Sequence, residues 1–408
     1  MFNSIRLVNF FSFSDTTIML ESGVNILVGI NGSGKSNLIK AIRLLKEGIG
    51  GTGLAKLILD EWGGFDNMVY CGNEEIINDK NKIVLSFRIN NNVANHYGFH
   101  FTDETYYDII IQKSASTNNY FIKEKLYQPK VNRSDFIFLN FTDGKGQINE
   151  RVDPEDENSK AKMRLIRYED YDPQELALNK VFDTDRYLAV SSIRRMLSDI
   201  AIYNHFDTTS ASRIRRPVLP TSTPRLLGDG SNLAQVLNTF KIQDRKTDIA
   251  IRELLSQINS QFEDYNFNFI GGNIELMLQE QNLGKSIHVS HISDGTLRFM
   301  CLLAVLLNPK RGRLVCIDEP ELGLHPDMVQ HIAEAIQKAS TQSQLFVATH
   351  SEHLLNRFDI EQIRVVEKDE NNGTVVKQYS ADDFAGWYEN YQLVGKMWRA
   401  GDIGGNRY

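Results

Sequence analysis

The sequence is poor in residues that staple or break chains. Only 3 cysteines occur in 408 residues. Cys71, Cys301 and Cys316 lie far apart, with no CxxC pair and no histidine at metal spacing, which excludes a disulfide framework and a zinc module and fits a reducing cytoplasm. Proline is scarce, at 9 against 28 glycines, and with 41% apolar residues the chain is neither collagen-like nor disordered. Long apolar runs are missing too: the longest, Phe299 to Leu307, is about half of what a membrane span needs. The N-terminus lacks the basic-then-apolar layout of a signal peptide. Basic residues are outnumbered, 45 Lys and Arg against 52 Asp and Glu, and the net charge of −7 argues against a surface that coats nucleic acid, while a local basic groove stays open. What is left is a soluble cytoplasmic protein of two to three domains, or one large α/β unit with an insertion.

Patterning along the chain gives the elements. Strand alternation through Ile5, Leu7 and Asn9 predicts a hairpin turning at Ser14-Asp15, then Thr16 to Leu20, then a buried strand Val24 to Val28. Leu38, Ala41, Ile42 and Leu45 share one helical face, which the glycine-rich stretch Gly48 to Gly53 ends. Short β-type runs follow at Ile83 to Ile89, His96 to Phe101, Thr105 to Gln112, Tyr120 to Leu126 and Phe136 to Leu139, the pattern of an antiparallel meander. Charge and Pro154 make Glu150 to Lys162 a linker. Helices resume near Pro173, most clearly where Ile251, Leu254, Leu255, Ile258 and Phe262 align. Ser210 to Gly230 reads as a long surface loop. The last third alternates again: strands near Phe267 and Ile274, a helix from Gly295, a strand Leu314 to Ile317, a helix from Pro326 and a strand Leu345 to Ala348. No sustained heptad run is present, which excludes long coiled-coil arms.

Four phosphate-facing elements occur in order. Gly29-Ile30-Asn31-Gly32-Ser33-Gly34-Lys35-Ser36 matches GxxxxGK[ST] in full, between a predicted strand and a predicted helix. Glycines at 29, 32 and 34 let successive N–H groups converge on phosphate at the helix start, joined by Asn31, Ser33 and Asn37. Lys35 would reach the β- and γ-phosphates, and the Ser36 hydroxyl would take magnesium. Leu314 to Pro320 is a buried strand ending in two acids, where Asp318 would hold the metal and Glu319 would act as general base on the attacking water. Ser293-Asp294-Gly295-Thr296 opens a helix and offers a second anion site through the Ser293 hydroxyl and free N–H groups. Phe346 to Ser351 places His350 after a strand, within reach of a γ-phosphate.

Together these segments resemble the ABC-type ATPases. Ile30 to Ser36, ISDGT at Ile292 to Thr296, IDEPELGLHP at Ile317 to Pro326 and ATHS at Ala348 to Ser351 look like the Walker A, signature, Walker B with D-loop, and switch-histidine motifs of the SMC, RecF and OLD-like branch. IRLVNFFSFSD near the N-terminus looks like that branch's first strands, and LLGDGSNLAQVL at Leu226 to Leu237 resembles a stretch frequent in its compact prokaryotic AAA-family members. The resemblance implies an α/β head, a P-loop NTPase mixed sheet with an antiparallel β subdomain and a helical insertion lobe. The implied division is an N-terminal ATPase lobe over 1–150, a helical insertion lobe over 151–265, a C-terminal ATPase lobe over 266–360, and a hairpin and helical tail over 361–408. It also implies Mg2+-dependent hydrolysis of ATP. Two ATP molecules would be sandwiched in a homodimer, or a higher homo-oligomer, each between one subunit's P-loop and Ser293 and Gly295 of the other, with the D-loop at Leu322 to His325 crossing the interface.

The resemblance also points to anti-phage defence, in which such ATPases accompany a separate nuclease or TOPRIM-like effector. The alternative is a RecF-like repair clamp that binds DNA in an ATP-gated way. Only 58 residues follow His350, too few for a TOPRIM domain of typical size. Ile363 to Glu367 and Thr374 to Tyr379 flank Asn371-Asn372-Gly373 as a β-hairpin would. Two further expectations concern partners. The tail aromatics Trp387, Tyr388, Tyr391 and Trp398 either anchor a partner or pack on the chain's own core. The arginines Arg194, Arg195, Arg213, Arg215, Arg216 and Arg225 contact DNA phosphates or else lie solvated.

Overall fold

In the computed structural model, which describes residues 1–72, 79–114, 119–131, 133–152, 162–180, 183–220, 223–384 and 393–404, two units form that do not follow chain order. The first holds Met1–Ser22, Gly29–Ile200 and Val365–Lys377; the second holds Gly23–Val28, Ala201–Arg364 and Gln378–Tyr408.

An antiparallel sheet of eight strands, ordered β2-β1-β4-β5-β6-β7-β8-β9, makes the first unit. It comprises β1 (Phe2–Phe10), β2 (Phe13–Met19), β4 (Lys82–Ile89), β5 (Thr105–Lys113), β6 (Tyr120–Gln128), β7 (Phe136–Thr142), β8 (Lys145–Val152) and β9 (Lys162–Tyr168), whereas β3 (Val24–Val28) belongs to the second unit. Burial alternates along β4, β5 and β6. Leu85, Phe87, Ile109, Ile111 and Leu126 thus form one fully covered face, as a sheet packed on one side requires. Helix α1 (Lys35–Gly50) buries Leu38, Ile42, Leu45 and Ile49 along one stripe and packs on α3 (Ala177–Lys180) and α4 (Leu188–Ser198); α2 (Asn91–Ala94) precedes them in the chain. One carboxylate, Glu124 of β6, is buried on the covered face. It accepts from Tyr107 Oη at 2.8 Å and from the Ala177 and Leu178 amides at 2.6 and 3.1 Å. Burial outweighs these bonds and pushes its pKa up to about 7.

Three expectations need correction here. The first turn falls at Phe11-Ser12, with Phe10 paired to Phe13 and Phe11 at φ 49°. Ser14-Asp15 has turn chemistry, but Asp15 lies in β2, where its carboxylate takes the Arg6 guanidinium at 2.8 and 2.7 Å. His96 to Phe101 is not a strand. Asn90 caps α2, a 3-10 turn covers Asn95–Tyr97, and Gly98 at φ 114° ends it. The aromatics that mimic a strand instead cluster, Phe99 and Phe101 meeting Phe138 at 5.6 and 5.5 Å. The ends of the expected linker at 150–162 are the last residues of β8 and the first of β9, and 153–161 lie outside the described residues.

Parallel strands buried on both faces organise the second unit. β10 (Ile200–Tyr203), β14 (Leu314–Asp318), β15 (Gln344–Thr349) and β3 are neighbours in that order. β14 pairs with β15, and β15 with β3, in parallel; their near-continuous burial matches their apolar runs. Around them stand α5 (Leu233–Gln243), α6 (Arg245–Ile258), α7 (Asp294–Leu306), α8 (Pro326–Ser340), α9 (Glu352–Leu355) and α10 (Val394–Ala400), and a small antiparallel sheet of β11 (Phe262–Ile270), β12 (Asn273–Glu280) and β13 (Ile287–His288). Helix α7 is buried on every side from Phe299 to Leu306, as an all-round apolar helix must be. The stretch 151–265 carries α3 to α6 but also β9 and β10, and four apolar residues in a row cannot distinguish helix from strand by period alone. The hairpin expected near the end is present as β16 (Ile363–Lys368), whose first two residues belong to the second unit, and β17 (Thr374–Gln378), with Asn372 at φ 62° in the turn.

Candidate functional site

In the first unit, Gly29 to Ser36 forms a bend directly after Val28, the last residue of β3, and feeds α1. Gly34 caps the helix at φ 115°, and Gly32 takes φ 81° with nothing within 4 Å of where a β-carbon would stand. Both values lie where side chains other than hydrogen are disfavoured. A β-carbon at Gly29 would collide with the Val366 carbonyl. The first turn of α1 carries no acid, so nothing on the helix competes with an incoming anion for its positive end. Lys35 is buried, its Nζ donating to the carbonyls of Gly29 and Ile30 at 2.7 and 3.1 Å. Ser33 Oγ is buried without a hydrogen-bond partner. Asn31, Gly32 and Ser36 are exposed, and Asn37 Nδ2 donates to Ser12 Oγ at 2.9 Å.

In the second unit, register aligns Asp318 with Ala348 and Ala348 with Leu27. Asp318, Glu319 and His350 therefore stand at the carboxyl ends of neighbouring strands, the edge where open α/β sheets hold ligands. Glu319 adopts φ 48°, and its N–H donates to Ala348 O at 2.8 Å. Its Oε1 lies 3.3 Å from His350 Nδ1, so the two residues singled out from separate motifs meet. Glu321, passed over as part of the motif, ties the same edge together. Thr349 Oγ1 donates to Glu321 Oε1 at 2.5 Å and the His350 N–H donates to the same oxygen at 3.3 Å, while Glu321 Oε2 is buried without a partner.

Ser293 caps α7, its Oγ accepting the Thr296 amide at 3.1 Å. A β-carbon at Gly295 would stand 3.1 Å from Gly323 O, and Arg298 donates to the carbonyls of Leu322 and Phe206, so the signature helix and the 322–325 loop pack as one. Arg215 is not available to DNA, which corrects that expectation. Its guanidinium is buried and donates to the carbonyls of Thr208 at 2.9 Å, Val289 at 2.6 Å and Ile292 at 2.8 Å, and to Asp294 Oδ1 at 2.6 Å. No spacing rule could have joined positions 79 apart in sequence; the one signal was an arginine beside the apolar Ile214 in a polar loop. Arg225 donates to Lys310 O, whereas Arg195, Arg213 and Arg216 are exposed. Trp398 is buried, on a helix whose Gly395 N–H donates to Asn356 Oδ1 at 2.8 Å, so it packs on its own unit. Trp387, Tyr388 and Tyr391 lie outside the described residues.

A phosphate-type bend after one parallel strand, an acid-tipped strand two places along the same sheet and an antiparallel subdomain define the fold of an ABC/SMC-like ATPase head. The chain belongs to the family described as "AAA domain, putative AbiEii toxin, Type IV TA system", whose model matches residues 24–356. The fold is similar to an Smc head bound to the C-winged helix domain of ScpA (TM-score 0.57, 14% identity, covering 94% of this chain and 99% of that one). It is equally similar to an Smc head with an extended coiled coil from Pyrococcus furiosus (TM-score 0.57, 14% identity, 96% and 99%). Among curated relatives, a DNA double-strand break repair Rad50 ATPase of Thermoplasma acidophilum is 59% identical over 39 residues, 10% of this chain and 4% of that protein. The Retron Ec83 probable ATPase of Escherichia coli is 27% identical over 158 residues, 35% of this chain and 28% of that protein. The chain thus spans between 4% and 28% of the curated relatives it matches. Among the described residues no helix is long and apolar enough to cross a membrane.

Proposed function

We propose that this protein is a Mg2+-dependent ATPase whose ATP-driven dimerisation and hydrolysis switch a separate effector, a nuclease or TOPRIM-like protein, in prokaryotic anti-phage defence. The contact that carries the hydrolytic part is Glu319 Oε1 against His350 Nδ1 at 3.3 Å, with Glu319 in a left-handed backbone conformation. Strain of that kind persists where the surroundings fix it and is concentrated at active sites. The bend fits a triphosphate: Gly32 and Gly34 occupy conformations that suit convergent amides, and the orphan Ser33 Oγ is a spare polar group. The oxygen donors Ser36 and Asp318 suit a hard cation. Magnesium, when bound, neutralises charge on the phosphates.

The residues then divide the work. Backbone amides from Gly29 to Ser36, with Asn31, Ser33 and Asn37 beside them, bind the phosphates, and Lys35 adds a point charge. Ser36 and Asp318 are the metal ligands. Glu319 takes the proton of the attacking water, and His350 senses the γ-phosphate and orients Glu319. From the second subunit, Ser293 and Gly295 close the site, a role supported by the packing of Gly295 against Gly323 O.

Effector switching in defence is supported by the likeness to the retron ATPase, and partner binding by the ScpA-bound state of the Smc heads. A repair clamp is the second reading, favoured by the Rad50 match. Co-purification of a stoichiometric nuclease supports defence, and DNA-stimulated ATPase activity without a partner supports repair. For the hydrolytic role, Glu319→Gln is expected to keep ATP affinity, lower turnover by at least about 100-fold and stabilise the dimer in size-exclusion chromatography. Retained hydrolysis removes Glu319 from the base role.

A further inference from the structure

The C-terminal hairpin touches the phosphate bend through one threonine. Thr374, the first residue of β17, is fully buried. Its Oγ1 stands 2.7 Å from the carbonyl oxygen of Ser33 and 2.7 Å from Ser12 Oγ, and Ser12 Oγ in turn accepts from Asn37 Nδ2 at 2.9 Å. The backbone of Thr374 is held as firmly: its N–H donates to Ser12 O at 2.7 Å, and its carbonyl accepts the Thr16 hydroxyl at 2.7 Å.

Counting protons gives this chain a direction. The Ser33 carbonyl only accepts, and a threonine hydroxyl has one proton. Thr374 therefore donates to Ser33 O, Ser12 donates to Thr374 Oγ1, and Asn37 donates to Ser12. No peptide bond among the described residues is cis, and in a trans peptide C=O and N–H point in opposite directions. Pinning the Ser33 carbonyl on the hairpin thus turns the Gly34 N–H away from it. A β-carbon at Gly34 would collide with Thr374 Oγ1, so this peptide and the threonine are packed as well as bonded.

We propose that Thr374 is a positioning residue for nucleotide: its hydroxyl sets the orientation of the Ser33-Gly34 peptide and thereby the affinity of the bend for a nucleoside triphosphate. The two residues are 341 positions apart, and no motif of the ATPase head points to this one. The inference rests on Gly29 to Ser36 being the triphosphate site, so its test carries a separate control for that assignment.

The test is calorimetric titration of the full chain with magnesium and a non-hydrolysable ATP analogue, for the parent and for Thr374→Val, Thr374→Ser, Ser12→Ala and Lys35→Ala. Valine keeps the volume and removes the hydroxyl; Kd should rise about tenfold, the scale of one lost hydrogen bond. Thr374→Ser should stay within about threefold of the parent, and Ser12→Ala, which leaves the last link intact, should weaken binding about threefold. Amide exchange at Gly34 should quicken in Thr374→Val before nucleotide is added, a change that general destabilisation would not confine to the bend. Parental affinity in Thr374→Val, or a serine variant as weak as the valine one, overturns the proposal. Should Thr374→Val fail to fold, Ser12→Ala decides, with parental affinity again overturning it. Lys35→Ala separates the two layers: if it binds like the parent, the site assignment falls, whereas its loss beside unaffected hairpin variants removes only the role of Thr374.

Discussion

The phosphate bend and the signature region are built by opposite means. The bend is made of backbone: two glycines at positive φ, an acid-free helix start, and carbonyls that hold Lys35. The signature region is made of side chains brought from distant segments, with Arg215 spanning four acceptors. Backbone sites depend on where a β-carbon is forbidden, and side-chain sites on whether buried charge is matched. The charges differ accordingly. The first turn of α1 has no acid, while α7 begins with Asp294, a carboxylate that would repel phosphate were it not paired with Arg215 at 2.6 Å.

The contrast can be broken at its strongest point. Gly34→Ala places a β-carbon in a left-handed conformation and against Thr374, so nucleotide affinity should fall by at least about 100-fold in calorimetry; near-parental binding would mean the backbone does not make the site. Arg215→Ala should act differently. Three carbonyls and one carboxylate lose a donor, which should cost about 3 kcal/mol in denaturant unfolding and reduce turnover about tenfold. Binding of nucleotide by the bend should stay unchanged. Adding Asp294→Asn should recover part of the turnover and little of the stability; equal recovery of both would show that charge matching at the signature has no catalytic role.

The smallest effect lies in the first unit, through Glu124. Its carboxyl is raised to about 7 by burial. The folded form therefore holds its proton more tightly than the unfolded chain does. That contribution is complete below the unfolded value near 4.5 and is lost as pH rises through 7. Unfolding free energy should drop by about 1 kcal/mol between pH 6 and 8 from this group, a slope that Glu124→Gln should abolish when urea midpoints are compared across that range.

The same contrast governs what was legible in the sequence. The bend could be read because its determinants are contiguous, from Gly29 to Ser36, and conformational. The parallel strands β3, β14 and β15 could be read because burial on both faces forces apolar runs. The first hairpin turn was misplaced because Phe11 at φ 49° carries no turn signature, while Ser14-Asp15 does. For Arg215 the sequence leaves a DNA contact or a solvated loop charge open, because charge in a polar loop is ordinarily exposed; its burial depends on Val289, Ile292 and Asp294, residues that only the folded chain brings near. Glu321 and Thr374 were passed over for the same reason.

Glu319 carries a cost that its neighbours do not. A left-handed backbone favours glycine, or asparagine after it, and penalises an ordinary side chain by roughly 1 kcal/mol or more. Nothing about the local geometry at φ 48° recommends glutamate over glycine, which would relax the chain there. The fold is thus less firm at this residue than it could be, and what glutamate supplies in exchange is a carboxylate held in one place before any ligand arrives.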